Sequence, residues 1–120
     1  MSAKANIIID QGSTFSTYIN LTQDNGDILD LTGYTATGQI RSWYSASNYT
    51  AFNISLTNPE MGNIYLSLSA NTTASLSPGR YVYDIDTIDS SNNVTRVVEG
   101  ILTVTPSVTQ LPGVTYASIY

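Results

Sequence analysis

Strict alternation of apolar and polar residues recurs along this chain, and each run stops at a cluster of Asn, Asp, Gly or Pro. In Thr14 to Thr22, Phe15, Thr17, Ile19 and Leu21 fall on one face, while Ser16, Tyr18 and Asn20 fall on the other. Successive side chains of a strand point to opposite faces, so this pattern describes a strand with one buried and one wet side. Thr35 to Trp43 repeats it with Ala36, Gly38 and Ile40 inward, where small residues leave room for a facing aromatic. Ala51 to Thr57 alternates on Phe52, Ile54 and Leu56, and Asn63 to Ser69 on Ile64, Leu66 and Leu68. Arg80 to Ile88 places Tyr81, Tyr83 and Ile85 together. Val94 to Thr105 is a long strand in which Gly100 predicts a bulge. Ala5 to Asp10 is a short apolar run and reads as the first strand.

The punctuation agrees. Asp24-Asn25-Gly26-Asp27, Asn58 to Gly62 and Asp89 to Asn93 supply residues that tolerate tight turns. Tyr44 to Thr50 has no period and reads as a loop. Only Ala70 to Leu76 looks helical, about two turns at most, with Ser69 or Asn71 as its cap and Ser77-Pro78-Gly79 as its stop. About seven closely spaced strands with one short helical turn predict an all-β fold, an immunoglobulin-like antiparallel β-sandwich. The Cys…Trp…Cys signature of true immunoglobulin domains is missing. The expected core is Phe15, Ile19, Ile40, Phe52, Ile54, Ile64, Leu66, Tyr81, Tyr83, Ile85, Leu102 and Val104. The sandwich domain is expected over 1–105. Residues 106–120 lose the alternation and carry Pro106 and Pro112, which predicts an extended C-terminal arm.

Composition narrows the function. A chain of 120 residues without Cys and without His has no thiolate nucleophile, no sulfur metal site and no Ser–His triad. It is expected to be non-enzymatic and to use no cofactor. Its net charge of −5 repels phosphate backbones, so nucleic acid is not an expected partner. No run is long enough to span a bilayer and no signal-peptide layout opens the chain, so neither membrane insertion nor secretion is expected. Charged residues make up 11%, against roughly 25% in an average domain. Hydroxyls and amides carry the polarity instead, which suits a surface that docks, because charges are costly to desolvate.

Three candidate sites stand out. Asp84, Asp86 and Asp89 could begin a calcium site, but their alternation with Tyr83 and Ile85 places the first two on a solvated strand face. No metal site is expected there, and Asp24, Asp27 and Asp30 read as turn residues. Trp43, Tyr44 and Tyr49 gather at a strand end and the loop beyond it. Two readings stay open for them: a cover over the end of the sandwich, or a contact surface for a partner protein or a sugar. In the arm, Leu111, Val114, Tyr116, Ile119 and Tyr120 bring apolar surface that is expected to order on a neighbouring subunit; a tail folded back on its own sandwich is the alternative. Five matches to the glycosylation sequon, at Asn20, Asn48, Asn53, Asn71 and Asn93, follow from the high Asn, Ser and Thr content.

Four ordered stretches carry a resemblance: Asp10 to Phe15 (DQGSTF), Asp30 to Ala36 (DLTGYTA), Leu76 to Ile85 (LSPGRYVYDI) and Glu99 to Pro106 (EGILTVTP). Together they resemble small structural proteins of tailed bacteriophages, and the immunoglobulin-like N-terminal module of phage baseplate upper proteins. The resemblance spans roughly residues 5 to 108. It implies a virion structural protein, an adaptor or accessory subunit at tail, baseplate or neck, assembled in the host cytoplasm. It further implies other virion proteins as partners, multiple copies in a symmetric assembly, and no catalytic residues. Capsid decoration, or a carbohydrate-binding module for host-surface glycan, is the alternative.

Overall fold

A computed structural model describes residues 3–118. Nine strands form two facing sheets: β1 (Ala3–Lys4), β2 (Ile7–Asp10), β3 (Phe15–Asn20), β4 (Thr35–Arg41), β5 (Thr50–Ala51), β6 (Asn53–Ser55), β7 (Asn63–Leu68), β8 (Gly79–Ile88) and β9 (Val94–Thr105). One sheet has six strands in the order β1-β9-β8-β4-β5, with β2 also on β9. The other has three, β3-β7-β6. Residues Pro59–Met61 form a 3-10 turn, and α1 (Ala70–Ala74) is the one α-helix among the described residues. The fold is the expected immunoglobulin-like sandwich, with nine strands where about seven were expected.

Two segments depart from the single strand expected of each. The run Ala51 to Thr57 divides between the sheets. β5 pairs with β4, β6 pairs with β7, and buried Phe52 sits at the switch with its N–H donating to Gly38 O at 3.0 Å. Of the first run, Ala5 to Asp10, only Ile7–Asp10 forms a strand, β2, and a separate β1 precedes it; both are parallel to β9 rather than antiparallel. Between them the chain crosses close over Gly100, where a Cβ would lie 1.9 Å from Ala5 O. Gly100 therefore marks a close backbone approach, not the expected bulge. The bulge lies at Val97: Ile85 pairs with Val98 but Asp86 with Arg96, so both valines turn into the core.

The core lies between the sheets. Ile40, Tyr83, Ile85, Val98, Leu102 and Val104 face Ile64, Leu66 and Leu68, with Leu31 and Leu76 contributed by connecting segments. Every residue of the expected core is in this cluster or packed against it, but Phe15, Ile19, Ile54 and Tyr81 are only half-buried. Helix α1 starts as expected at Ser69, whose Oγ accepts the Thr72 N–H at 3.2 Å.

Two buried polar side chains join distant segments. Thr73 Oγ1 accepts the Gly12 N–H at 3.0 Å and donates to Ser13 O at 2.9 Å. Gln11 is 4% exposed, and its Nε2 donates to Ala74 O at 3.2 Å, Leu76 O at 3.1 Å and Ala117 O at 2.9 Å. One side-chain amide thus ties the end of β2 to α1 and to the C-terminal segment.

Burial ranks the core substitutions. Leu66→Ala at a fully buried site should destabilise by about 2–5 kcal/mol, and Ile54→Ala at its half-buried register partner by distinctly less. Equal shifts in denaturant midpoint for the two variants would contradict this packing.

Candidate functional site

Two surface regions and the C-terminal segment hold the residues that chemistry singles out. The first region is the loop after β4. Trp43 is 61% exposed, Tyr44 82% and Tyr49 53%, so none of the three closes the end of the sandwich. Buried Ala46 anchors the loop, its N–H donating to Trp43 O at 3.1 Å. Arg41, on the outer face of β4, places its guanidinium 4.9 Å from the Tyr49 ring centroid. It also donates to Ala46 O and, at 2.7 Å, to Gln39 Oε1. Such a cation–π contact at an exposed site is worth about 0.5–1 kcal/mol towards holding the ring in place. Tyr44 lines a groove together with Arg41, and Trp43 is exposed in the same loop.

The second region is a groove of about 360 Å³ on the outer face of β4, β8 and β9, lined by Arg41, Tyr44, Asp84, Asp86, Arg96 and Glu99. Arg96 Nε lies 3.3 Å from Asp84 Oδ2, and Lys4 Nζ lies 3.0 Å from Glu99 Oε1. Asp86 Oδ1 is buried without a hydrogen-bond partner. Burial, and secondarily the charge of Asp84, push the Asp86 carboxyl above its ordinary range, while Arg96 draws it back in part. Asp84 and Asp86 thus lie on the outer strand face, as expected. Among the described residues no group of three or more ligand-type side chains could hold a metal ion.

Asp89 and Asp30 serve turns. Asp89 accepts the Ser91 and Asn93 N–H groups, each at 2.9 Å, and hydrogen bonds led by those to Asn93 lower its pKa. Asp30 is lowered by the Thr32 hydroxyl first and the Thr32 N–H second.

The C-terminal segment has no helix or strand, as expected of an extended tail, and follows the alternative course, folded back on its own sandwich. After Thr105 the chain turns back over its own domain instead of leaving it. The Ala117 N–H donates to Ala74 O at 2.7 Å, and the Tyr116 ring lies against Gly12, where a Cβ would come within 2.5 Å of it. The Tyr116 hydroxyl accepts the Leu111 N–H at 3.1 Å, closing the segment on itself. Tyr116 and Val114 are thus half-buried on the parent sandwich, and Tyr116 is not free to fill a neighbour's pocket. Gly12 and Gln11 provide the physical reason: one leaves room for the ring, the other binds the backbone beside it. Val108 and Leu111 remain exposed. Ile119 and Tyr120 lie outside the described residues.

One pattern escaped the sequence reading. The outer face of β3 and β7 pairs identical residues: Ser16 with Ser67, Tyr18 with Tyr65, and Asn20 with Asn63. The two tyrosine rings are 4.9 Å apart and tilted by 52°. Its signal was available as Ser-x-Tyr-x-Asn and, much later, the reverse order Asn-x-Tyr-x-Ser. Charge is also divided between the sheets. All four basic residues lie in β1, β4, β8 and β9, whereas β3, β6 and β7 contain no charged residue.

No family model matches the chain, and no curated protein matches it. Among solved structures it is similar to the Listeria monocytogenes internalin-like protein lmo2027, at 24% identity and a TM-score of 0.48 over 87% of this chain and 28% of that one. It is also similar to the SrpA adhesin of Streptococcus sanguinis, at 13% identity and a TM-score of 0.50 over 84% of this chain and 55% of that one. The chain spans about half or less of either protein. At these identities the likeness concerns the fold.

Two outcomes follow from this geometry. Deleting residues 111–120 should lower stability by about 1–3 kcal/mol, because it strips partners from buried polar groups around Gln11; an unchanged melting temperature would show that the segment docks without stabilising. Asp86 has a raised pKa in the folded state, so ionising it opposes folding. Asp86→Asn should therefore raise the melting temperature at neutral pH, and the gain should vanish below about pH 3.9, where the carboxyl is protonated in both states. A gain that persisted at low pH would contradict the assignment.

Proposed function

We propose that this chain is a non-enzymatic docking subunit of a phage virion, an adaptor or accessory piece at tail, baseplate or neck that works through protein–protein contact. The observation that carries the docking part is the exposure of Trp43, Tyr44 and Tyr49 on one loop, with Arg41 against the Tyr49 ring. Tryptophan, tyrosine and arginine are the residues that most often dominate interface energetics, because they bring large contact area with few torsions to freeze. A rigid sandwich displaying them on an anchored loop is suited to hold another surface. The placement on a virion, with other virion proteins as partners and several copies in a symmetric assembly, rests on the ordered phage-like stretches of the sequence. The lack of Cys and His supports a role without catalysis.

A glycan-binding role has one observation in its favour: Tyr44 borders a groove that also offers Arg41 and Asp84 to hydroxyl groups. The same substitution separates the two readings. Trp43→Ala should leave the melting temperature unchanged, since the side chain is mostly in water. Loss of a central aromatic anchor costs about 2 kcal/mol or more, roughly 30-fold in affinity. Incorporation of the variant into particles, quantified by mass spectrometry of particles from a complemented host, should fall accordingly. Normal incorporation together with Trp43-dependent binding on a glycan array would overturn the docking reading in favour of the sugar.

A further inference from the structure

Sheet edges are templates for further pairing, and folded chains normally blunt them. Here most edges are blunted. β5 has two residues and β6 three, and the β1–β2 edge is broken at Ala5–Asn6 and carries Lys4 and Asp10. Strand β3 is different. Its six residues, Phe15–Asn20, pair with β7 on one side, and no other backbone hydrogen bond reaches them among the described residues. It has no charge, no proline and no bulge, and it is rich in residues that favour strands.

We propose that β3 is the self-association edge of this chain, pairing antiparallel with β3 of a second copy to join two three-stranded sheets into one of six. Two observations select a second copy as the occupant. Copies that each carry a net charge of −5 repel, so they meet at lowest cost where charge is lacking, and the β3-β7-β6 sheet is the one whose strands contain none. The outer face is also self-complementary. With Tyr18 opposite Tyr18 of the second copy, the tyrosine row runs unbroken as Tyr65, Tyr18, Tyr18, Tyr65 across the joined sheet. Ser16 then meets Asn20 on either side of the dyad, and Thr17 meets Ile19 on the core face. Each contact off the dyad is made twice, as a closed two-fold interface requires. This inference does not rest on the aromatic loop, which lies at the end of β4 in the other sheet, so either can fail alone.

The test is a charge swap read by sedimentation equilibrium on the whole chain. The wild type should show a dimer of twice the 13.0 kDa chain mass in equilibrium with monomer. Ser16→Lys with Asn20→Lys places like charges opposite each other twice and should weaken the dimer at least about tenfold. Ser16→Glu with Asn20→Glu should do the same. An equimolar mixture of the two should restore dimerisation, since every repulsive pair becomes attractive. A wild type that stays monomeric, a lysine variant that dimerises normally, or a mixture that fails to recover would each overturn the proposal. Should the charged variants fail to fold, Tyr18→Cys provides an independent readout in a chain that has no other cysteine. Antiparallel partners directly opposite one another lie within disulfide range, so mild oxidation should give a cross-linked dimer; a product that stays monomeric would overturn the proposal equally.

Discussion

Strand β9 is the element on which the sandwich depends. It pairs antiparallel with β8 on one side and parallel with β1 and β2 on the other, so the last strand of the domain holds the first ones in the sheet. Two local devices make this possible. The bulge at Val97 turns two successive valines inward, and Gly100 lets the Ala5–Asn6 link pass over the strand. Tyr83 secures the crossing from β8: its buried ring meets Phe52 edge-on at 5.9 Å, and its hydroxyl donates to Ala5 O at 2.5 Å. Burial pushes that phenol up to about 12, so it keeps its proton, and remains a donor, across the physiological range.

The two sheets differ in chemistry as much as in strand number. The larger sheet carries all the basic residues and the acids of the groove, so its outer face is a mosaic of opposed charges. The smaller sheet presents hydroxyls, amides and two tyrosines. Opposed charges discriminate among partners, because a wrong pairing leaves an ion desolvated. A neutral polar face imposes no such penalty on its own copy. One small domain thereby offers two surfaces with different selection rules, together with an aromatic loop at the end of β4.

Much of the fold is legible in the sequence, for a definite reason. Where a strand has one wet and one dry face, period two marks it, and β3, β4, β7, β8 and β9 fall where the alternation puts them. Alternation says nothing, however, about which sheet a strand joins. Ala51 to Thr57 keeps its inward set of Phe52, Ile54 and Leu56 through the switch from β5 to β6, so the split left no trace in the pattern. Nor does a short apolar run reveal that its partner runs parallel. Gln11 was equally hidden: a lone glutamine reads as surface until partners 63, 65 and 106 residues away close around it. The course of the C-terminal segment was hidden for the same reason, since Gly12 and Gln11 hold it from the far end of the chain. At the aromatic loop, residue type alone left exposure undecided, and only the anchoring of Ala46 and Arg41 settles where the rings lie.

The parallel pairing of β2 with β9 has a mechanical meaning. The two strands run side by side in one direction, from Ile7 opposite Leu102 to Asp10 opposite Thr105, so Ile7 and Thr105 lie at opposite ends of the pairing. Tension drawing those two points apart acts along the strands and loads the whole set of interstrand hydrogen bonds in shear. A hairpin pulled open from its free ends unzips one bond after another; this arrangement must give way all at once. The pairing that closes the sandwich therefore also makes it a link that resists being pulled apart.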